Sequence, residues 1–259
     1  MISLAERLLS LLFPRKCPVC DALCAPGGNA HLCAGCEAAF RAELARTCPV
    51  CGSRAPECRC IPDTLQSAGI RQVMAGFYDP GDHAAVTSRL VFALKRTQDD
   101  AAAQIFSMLL APELVRSFAV RGENIREWTF VYPPRSPSSM ERYGFDQAER
   151  LARLCARATG ARFASLFARR GGSVQKELTA AQRKENAASS FRLRRTARCA
   201  GGKFILVDDI LTSGATMAAC ARLLREHGAA DVIAAAPLKT IPRTAPRRRT
   251  EPVPWFAEN

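Results

Sequence analysis

The sequence predicts an α/β protein, a parallel β-sheet flanked by helices, preceded by a small cysteine-rich segment built around metal. Three observations carry this reading. Phe204–Val207, Ala215–His227 and Val232–Ala236 read as strand, helix and strand, a spacing that makes a crossover between parallel strands. Nine of the twelve cysteines crowd into the first 60 residues, eight of them in close pairs, whereas Cys155, Cys199 and Cys220 stand alone. After Cys60 the composition shifts to apolar runs separated by turn residues, the pattern of a packed domain.

Taken in order, Met1 to Phe13 places Leu4, Leu8, Leu11 and Leu12 at helical spacing. Glu6 and Arg7 interrupt the apolar run, and no small-residue cleavage site follows, so this is read as an amphipathic helix and not a leader. Cys17-Pro-Val-Cys20, Cys33-Ala-Gly-Cys36, Cys48-Pro-Val-Cys51 and Cys58-Arg-Cys60 come next. A CxxC turn aims two thiolates at one cation, so eight ligands suit two closed tetrahedral zinc sites. The preferred assignment is sequential: Cys17, Cys20, Cys33 and Cys36 on one Zn2+, then Cys48, Cys51, Cys58 and Cys60 on the other. Interleaved pairing is the alternative, and Cys24 is left over. Closed all-thiolate sites have no open coordination position, so their role is structural.

Arg71–Tyr78 reads as a strand ending in the turn Asp79-Pro80-Gly81-Asp82, followed by helices over Ala84–Lys95 and Ala101–Phe118. Trp128–Tyr132 reads as a buried strand stopped by Pro133 and Pro134, and Asp146–Thr159 as a helix with Asp146 near its N-cap and Phe145 packed as core. The polar stretch 171–190 reads as loop. The final crossover follows, its helix closed by Gly228, and then a basic, proline-rich tail. The expected division is 1–64 for the helix and cysteine segment, 65–240 for the α/β domain and 241–259 for the tail.

Charge excludes little. With 37 Lys and Arg against 24 Asp and Glu, the net charge is +13, which attracts nucleic acid and phosphorylated small molecules alike. No apolar run approaches the roughly 20 residues that span a bilayer. A cytoplasmic location without a membrane span is therefore expected.

The chemistry concentrates at the end of the Phe204–Val207 strand. In open parallel sheets ligands sit beyond the carboxyl ends of the strands, and Asp208 and Asp209 fall there. Two adjacent carboxylates are costly unless a cation or hydroxyls meet them. Thr212-Ser213-Gly214-Ala215-Thr216 then turns into a helix, whose first N–H groups cradle an anion while Gly214 permits close approach. Carboxylates for a diol beside a cradle for a phosphate describe a ribose 5-phosphate site, though physics alone also admits other sugar phosphates. No Walker A pattern occurs, since Gly201-Gly202-Lys203 precedes the strand.

Phe204 to Thr216 as a whole resembles the signature of type I phosphoribosyltransferases, which bind 5-phosphoribosyl-1-pyrophosphate (PRPP) with Mg2+. The resemblance implies a type I phosphoribosyltransferase-like parallel sheet preceded by a zinc ribbon. It also implies Asp208 and Asp209 as the candidate catalytic pair holding the ribose hydroxyls, and Thr212 to Thr216 on the 5′-phosphate. The paired cysteines, Leu94-Lys95, Pro134-Arg135-Ser136, Arg142 to Ala148, and Gln175-Lys176, Leu178, Arg183, Asn186 and Phe191 are similar to blocks of the ComF family of competence-associated proteins, over residues 13 to 238. By that likeness Pro133 to Ser136 takes the place of the pyrophosphate loop. Arg135 would be its charged arm, and Lys95, Lys176 and Arg183 would be cations reaching in. The Pro133-Pro134 pair departs from type I enzymes, because it removes donor N–H groups. The family implies DNA uptake, with single-stranded DNA or competence proteins as partners. Two readings follow: a phosphoribosyltransferase of unknown acceptor, or a non-enzymatic DNA-handling factor that keeps the pocket as a phosphate or ligand site.

Overall fold

The computed structural model describes residues 15–24, 31–96, 100–169 and 190–241. The expected N-terminal helix, most of the 171–190 stretch with Gln175, Lys176, Leu178, Arg183 and Asn186, and the tail beyond 241 lie outside the described residues.

A central parallel sheet organises the chain. Strand β1 (Arg71–Tyr78) pairs with β8 (Asp231–Thr240), β8 with β6 (Lys203–Val207), β6 with β2 (Thr129–Val131), and β2 with β3 (Arg162–Phe163). A two-residue strand, β7 (Ile210–Leu211), also pairs with β8, and β4 (Phe167–Arg169) forms a separate antiparallel pair with β5 (Phe191–Leu193). The register runs Ile205↔Ile233 and Phe130↔Ile205, which aligns the carboxyl ends of β2, β6 and β8 on one edge.

Both faces of the sheet are buried, which is why its strands read as unbroken apolar runs. Phe130, Ile205, Val207, Ile233 and Ala235 point into one cluster with helices α3 (Val86–Arg96), α4 (Ala101–Val120) and α6 (Gln147–Thr159). Val131, Phe204, Leu206, Val232 and Ala234 point the other way. They meet the short α2 (Asp63–Ser67), α7 (Ala215–Glu226) and the β4–β5 pair. Helix α4 is long and apolar enough to cross a membrane by composition, against the expectation that no stretch comes close. Its Ala103, Phe106, Leu110 and Leu114 are fully buried on the sheet and α6, and core packing accounts for that composition.

The sequence missed helix α1 (Ala34–Leu44), between the second and third cysteine pairs, and the short α5 (Pro137–Tyr143). Phe40 of α1 is buried in the same cluster as α4. Leu44 packs so close to β1 that a Cβ on Gly76 would sit 2.6 Å from its Cδ2. Glu43 accepts the backbone N–H groups of Val86 at 2.7 Å and Thr87 at 2.9 Å, capping α3 from a distant part of the chain. The cysteine segment is thus fastened to the sheet by apolar contact and by a cap.

Candidate functional site

Asp208 and Asp209 lie where the sheet edge breaks between β6 and β7, both of which pair with β8. Each carboxylate turns one oxygen back to the chain: Asp208 Oδ1 accepts the N–H of Asp209 at 2.9 Å, and Asp209 Oδ1 accepts that of Ile210 at 2.9 Å. Among the described residues, the other oxygen of Asp209 is buried without a hydrogen bond. Lys95, at the end of α3, makes an ion pair with it at 3.2 Å, out of line for hydrogen bonding. Burial first, and the charge of Asp209 second, push the Asp208 carboxyl well above the ordinary range, although part of its surface still meets solvent. A charged carboxylate in that position is short of partners, and hydroxyl donors or a cation would supply them.

The loop from Thr212 to Thr216 leaves β7 and enters α7 through Gly214, whose φ of 72° is left-handed. A Cβ there would lie 2.7 Å from Cγ of Leu65, so glycine is required on both counts. Thr212 and Ser213 are exposed, and the first turn of α7 presents N–H groups without intrahelical partners, as helix starts do. The loop is therefore open on its outer side and packed on its inner side, a geometry that accepts a phosphate.

The chain after β2 runs along the same edge. Arg135 donates its backbone N–H to Asp146 Oδ2 at 2.7 Å. Its guanidinium reaches the carbonyls of Phe145 at 3.3 Å and Lys95 at 3.2 Å, and lies over the rings of Tyr143 and Phe145 at 5.0 and 5.4 Å. The side chain expected to be a charged arm thus ties the loop to α3 and to the turn before α6. Ser136 caps α5, accepting the N–H of Ser139 at 3.2 Å. Asp146 is the bolt of this region: besides Arg135 it accepts the N–H groups of Ala148 and Glu149 as the N-cap of α6. Lys95, Arg135, Asp208, Asp209 and the 212–216 loop share one edge of the sheet, while Lys176 lies outside the described residues.

The eight paired cysteines form two groups, Cys17, Cys20, Cys33 and Cys36, and Cys48, Cys51, Cys58 and Cys60. Within each, the sulfurs lie within 4.8 Å of one another. Tetrahedral zinc with bonds of about 2.3 Å separates its sulfurs by about 3.8 Å. Separations of 3.5 Å for Cys20–Cys33, 3.9 Å for Cys48–Cys60 and 3.8 Å for Cys51–Cys58 fit that. The grouping is the sequential one, which leaves Cys24 buried outside both sets. The backbone N–H and hydroxyl of Ser53 hold the Cys51 thiol down to about 6, favouring the thiolate that a cation requires. The two Cys-Pro-Val-Cys turns match. Asp21 and Gly52 follow them at φ of 59° and 74°, and Asp21 N–H and Gly52 N–H return to the carbonyls of Cys17 and Cys48.

The family model described as a phosphoribosyl transferase domain matches residues 146–256. The DNA utilization protein YhgH of Salmonella typhimurium is 30% identical over 210 residues, covering 78% of this chain and 87% of that protein. The YhgH of Escherichia coli is 28% identical over 212 residues, covering 79% and 88%. The chain belongs to the ComF family. Its sheet flanked by helices is the type I phosphoribosyltransferase-like fold, with cysteine groups compatible with a zinc ribbon. Among solved structures, the hypoxanthine phosphoribosyl transferase of Trypanosoma cruzi overlays at 12% identity, 57% of this chain, 69% of that chain and a TM-score of 0.36, too loosely for inference.

Two residues of this ComF chain that sequence reasoning missed lie under the 212–216 loop. The Thr64 hydroxyl donates to the carbonyl of Ser213, and Leu65, fully buried, fills the space beneath Gly214. Nothing local signals them, because 149 residues separate Thr64 from its partner.

Proposed function

We propose that this ComF protein binds PRPP, or a related ribose phosphate, at the carboxyl edge of its sheet and serves in DNA uptake or handling. The observation that carries the reading is the buried Asp209 Oδ2, ion-paired with Lys95 but without a hydrogen bond among the described residues, beside an open helix-start loop. Asp208 and Asp209 would take the ribose hydroxyls, and Thr212, Ser213, Gly214, Ala215 and Thr216 the 5′-phosphate. Lys95, Arg135, Ser136 and Lys176 would face the pyrophosphate. Mg2+ arriving with PRPP would neutralise charge on the departing pyrophosphate. A phosphoribosyl transfer to an acceptor is the reaction such a site would run, with Asp208 and Asp209 orienting the sugar. Thiols gathered in closed metal sets suit a reducing, cytoplasmic location.

A second reading, a DNA-handling factor that keeps the pocket as a ligand site without turnover, is favoured by the engagement of Arg135. Its guanidinium is already committed to two carbonyls and two rings. The name carried by the YhgH relatives, DNA utilization, is compatible with either. Calorimetric titration with PRPP and Mg2+ tests the pocket. Binding should fall at least tenfold in Asp208→Ala/Asp209→Ala, about 1.4 kcal/mol. A wild-type chain that binds no PRPP sinks the first reading. Single-stranded DNA binding that survives the double substitution, with a steep salt slope, favours the second.

A further inference from the structure

The last cysteine of the second group is joined to the phosphate loop by a short path along the chain. The carbonyl of Cys60 is held from two strands, by Gln72 Nε2 of β1 at 3.0 Å and by the Lys239 ammonium of β8. Lys239 in turn sits beside Leu211, the residue that precedes the loop. Ile61 then packs on the cluster beneath α7, and Pro62 opens α2. At the far end of α2, Arg225 of α7 donates to the carbonyls of Ala68 and, at 3.0 Å, Gly69. Helix α2 is thereby fixed at both ends, and only then do Thr64 and Leu65 meet the loop.

What Thr64 does there follows from peptide geometry. In a planar trans peptide the C=O and the following N–H point in opposite directions. Drawing the Ser213 carbonyl toward α2 therefore turns the Gly214 N–H to the other side, where Thr212 and Ser213 are exposed. Leu65 blocks the inward collapse that would reverse that plane, its Cγ lying 2.7 Å from where a Gly214 Cβ would be. We propose that Thr64 and Leu65 are positioning residues for the anion loop, and that the Cys48, Cys51, Cys58, Cys60 centre, through Cys60 and α2, governs whether the loop can grip a phosphate ester. The proposal deepens the phosphate-site reading and rests on it for the identity of the anion, but the mechanical coupling is independent of it.

Hydrogen–deuterium exchange on the full-length, metal-loaded protein reads that coupling directly. Thr64→Val should speed exchange of the amides at 212–217 severalfold and weaken PRPP binding at least fivefold, while the amides of α4, on the opposite face of the sheet, keep their rates. Thr64→Ser, which retains the hydroxyl, should restore both. Cys60→Ser, with metal content measured alongside, should loosen the same amides and lose one metal equivalent. Loop exchange unchanged in Thr64→Val and in Cys60→Ser overturns the proposal, as does a Thr64→Ser protein that behaves like Thr64→Val. Equal acceleration in α4 also overturns it, by exposing a general loss of structure. If the loop responds as stated but wild type binds no PRPP, the sugar-phosphate reading falls and the coupling stands.

Discussion

Asp208 shows most plainly what the proposed binding site costs the fold. Among the described residues, Asp209 beside it and Cys220 of α7 oppose its charge, whereas the backbone N–H of Asp209 and Lys95 of α3 favour it. Its raised folded-state value means the unfolded chain gives up the proton first as pH rises. The stability associated with the protonated carboxyl is complete below the unfolded value of about 3.9 and is lost as pH climbs toward the folded one. Asp208→Asn, which can still accept the Asp209 N–H, should raise the melting temperature at pH 7, because it removes the cost of charging a buried carboxyl. The gain should vanish near pH 4. Melting curves across pH 4 to 8 check this, and a gain independent of pH would assign the effect to packing instead. The same substitution should weaken PRPP binding, a trade between stability and function.

At the scale of elements, the loop and α7 behave as one unit standing on α2. Gly214 meets two demands, a left-handed φ of 72° and the close approach of Leu65. Gly214→Ala should cost about 2 kcal/mol or more and lower the melting temperature by about 5 °C, with loss of PRPP binding. A fully stable, binding-competent Gly214→Ala protein would show that Leu65 can move aside. The strand–helix–strand unit that contains this loop was legible because its period and punctuation are local: four buried apolar residues, a glycine turn and a helix closed by Gly228. Helix α1 was not, because its apolar face is only Leu44, Phe40 and neighbours between cysteines, and its reason to be helical is the surface of α3 and β1 it covers.

For the whole molecule, the cysteine segment and the α/β domain share a core. Cys17, Leu32, Cys36 and Phe40 bury themselves with Leu110, Phe106 and Ile205 in one cluster, and Cys48, Ala55 and Cys58 do so with Met74 and Phe77 in another. The metal-loaded protein should therefore melt in a single calorimetric transition, and purified chain should carry two zinc equivalents. Chelation that removes both should lower that transition as a whole and not free a separate segment. Two resolved transitions would show the segment to be an independent domain, and one equivalent or none would undo the four-plus-four ligand grouping.

Four strands of the central sheet, the paired cysteines of residues 17–60 and the acids-then-glycine-turn motif at 208–216 were legible in the sequence, because each depends on residues within a few positions of one another, whereas the short β3, β4, β5 and β7 were not. Which cysteines gather into a group was narrowed there and decided by distance. The commitment of Arg135 to neighbouring carbonyls, the cap that Glu43 places on α3 and the support of Ser213 by Thr64 were decided only in the tertiary structure. Those contacts join residues tens to more than a hundred positions apart. Their energy comes from surfaces that no local pattern of side chains encodes.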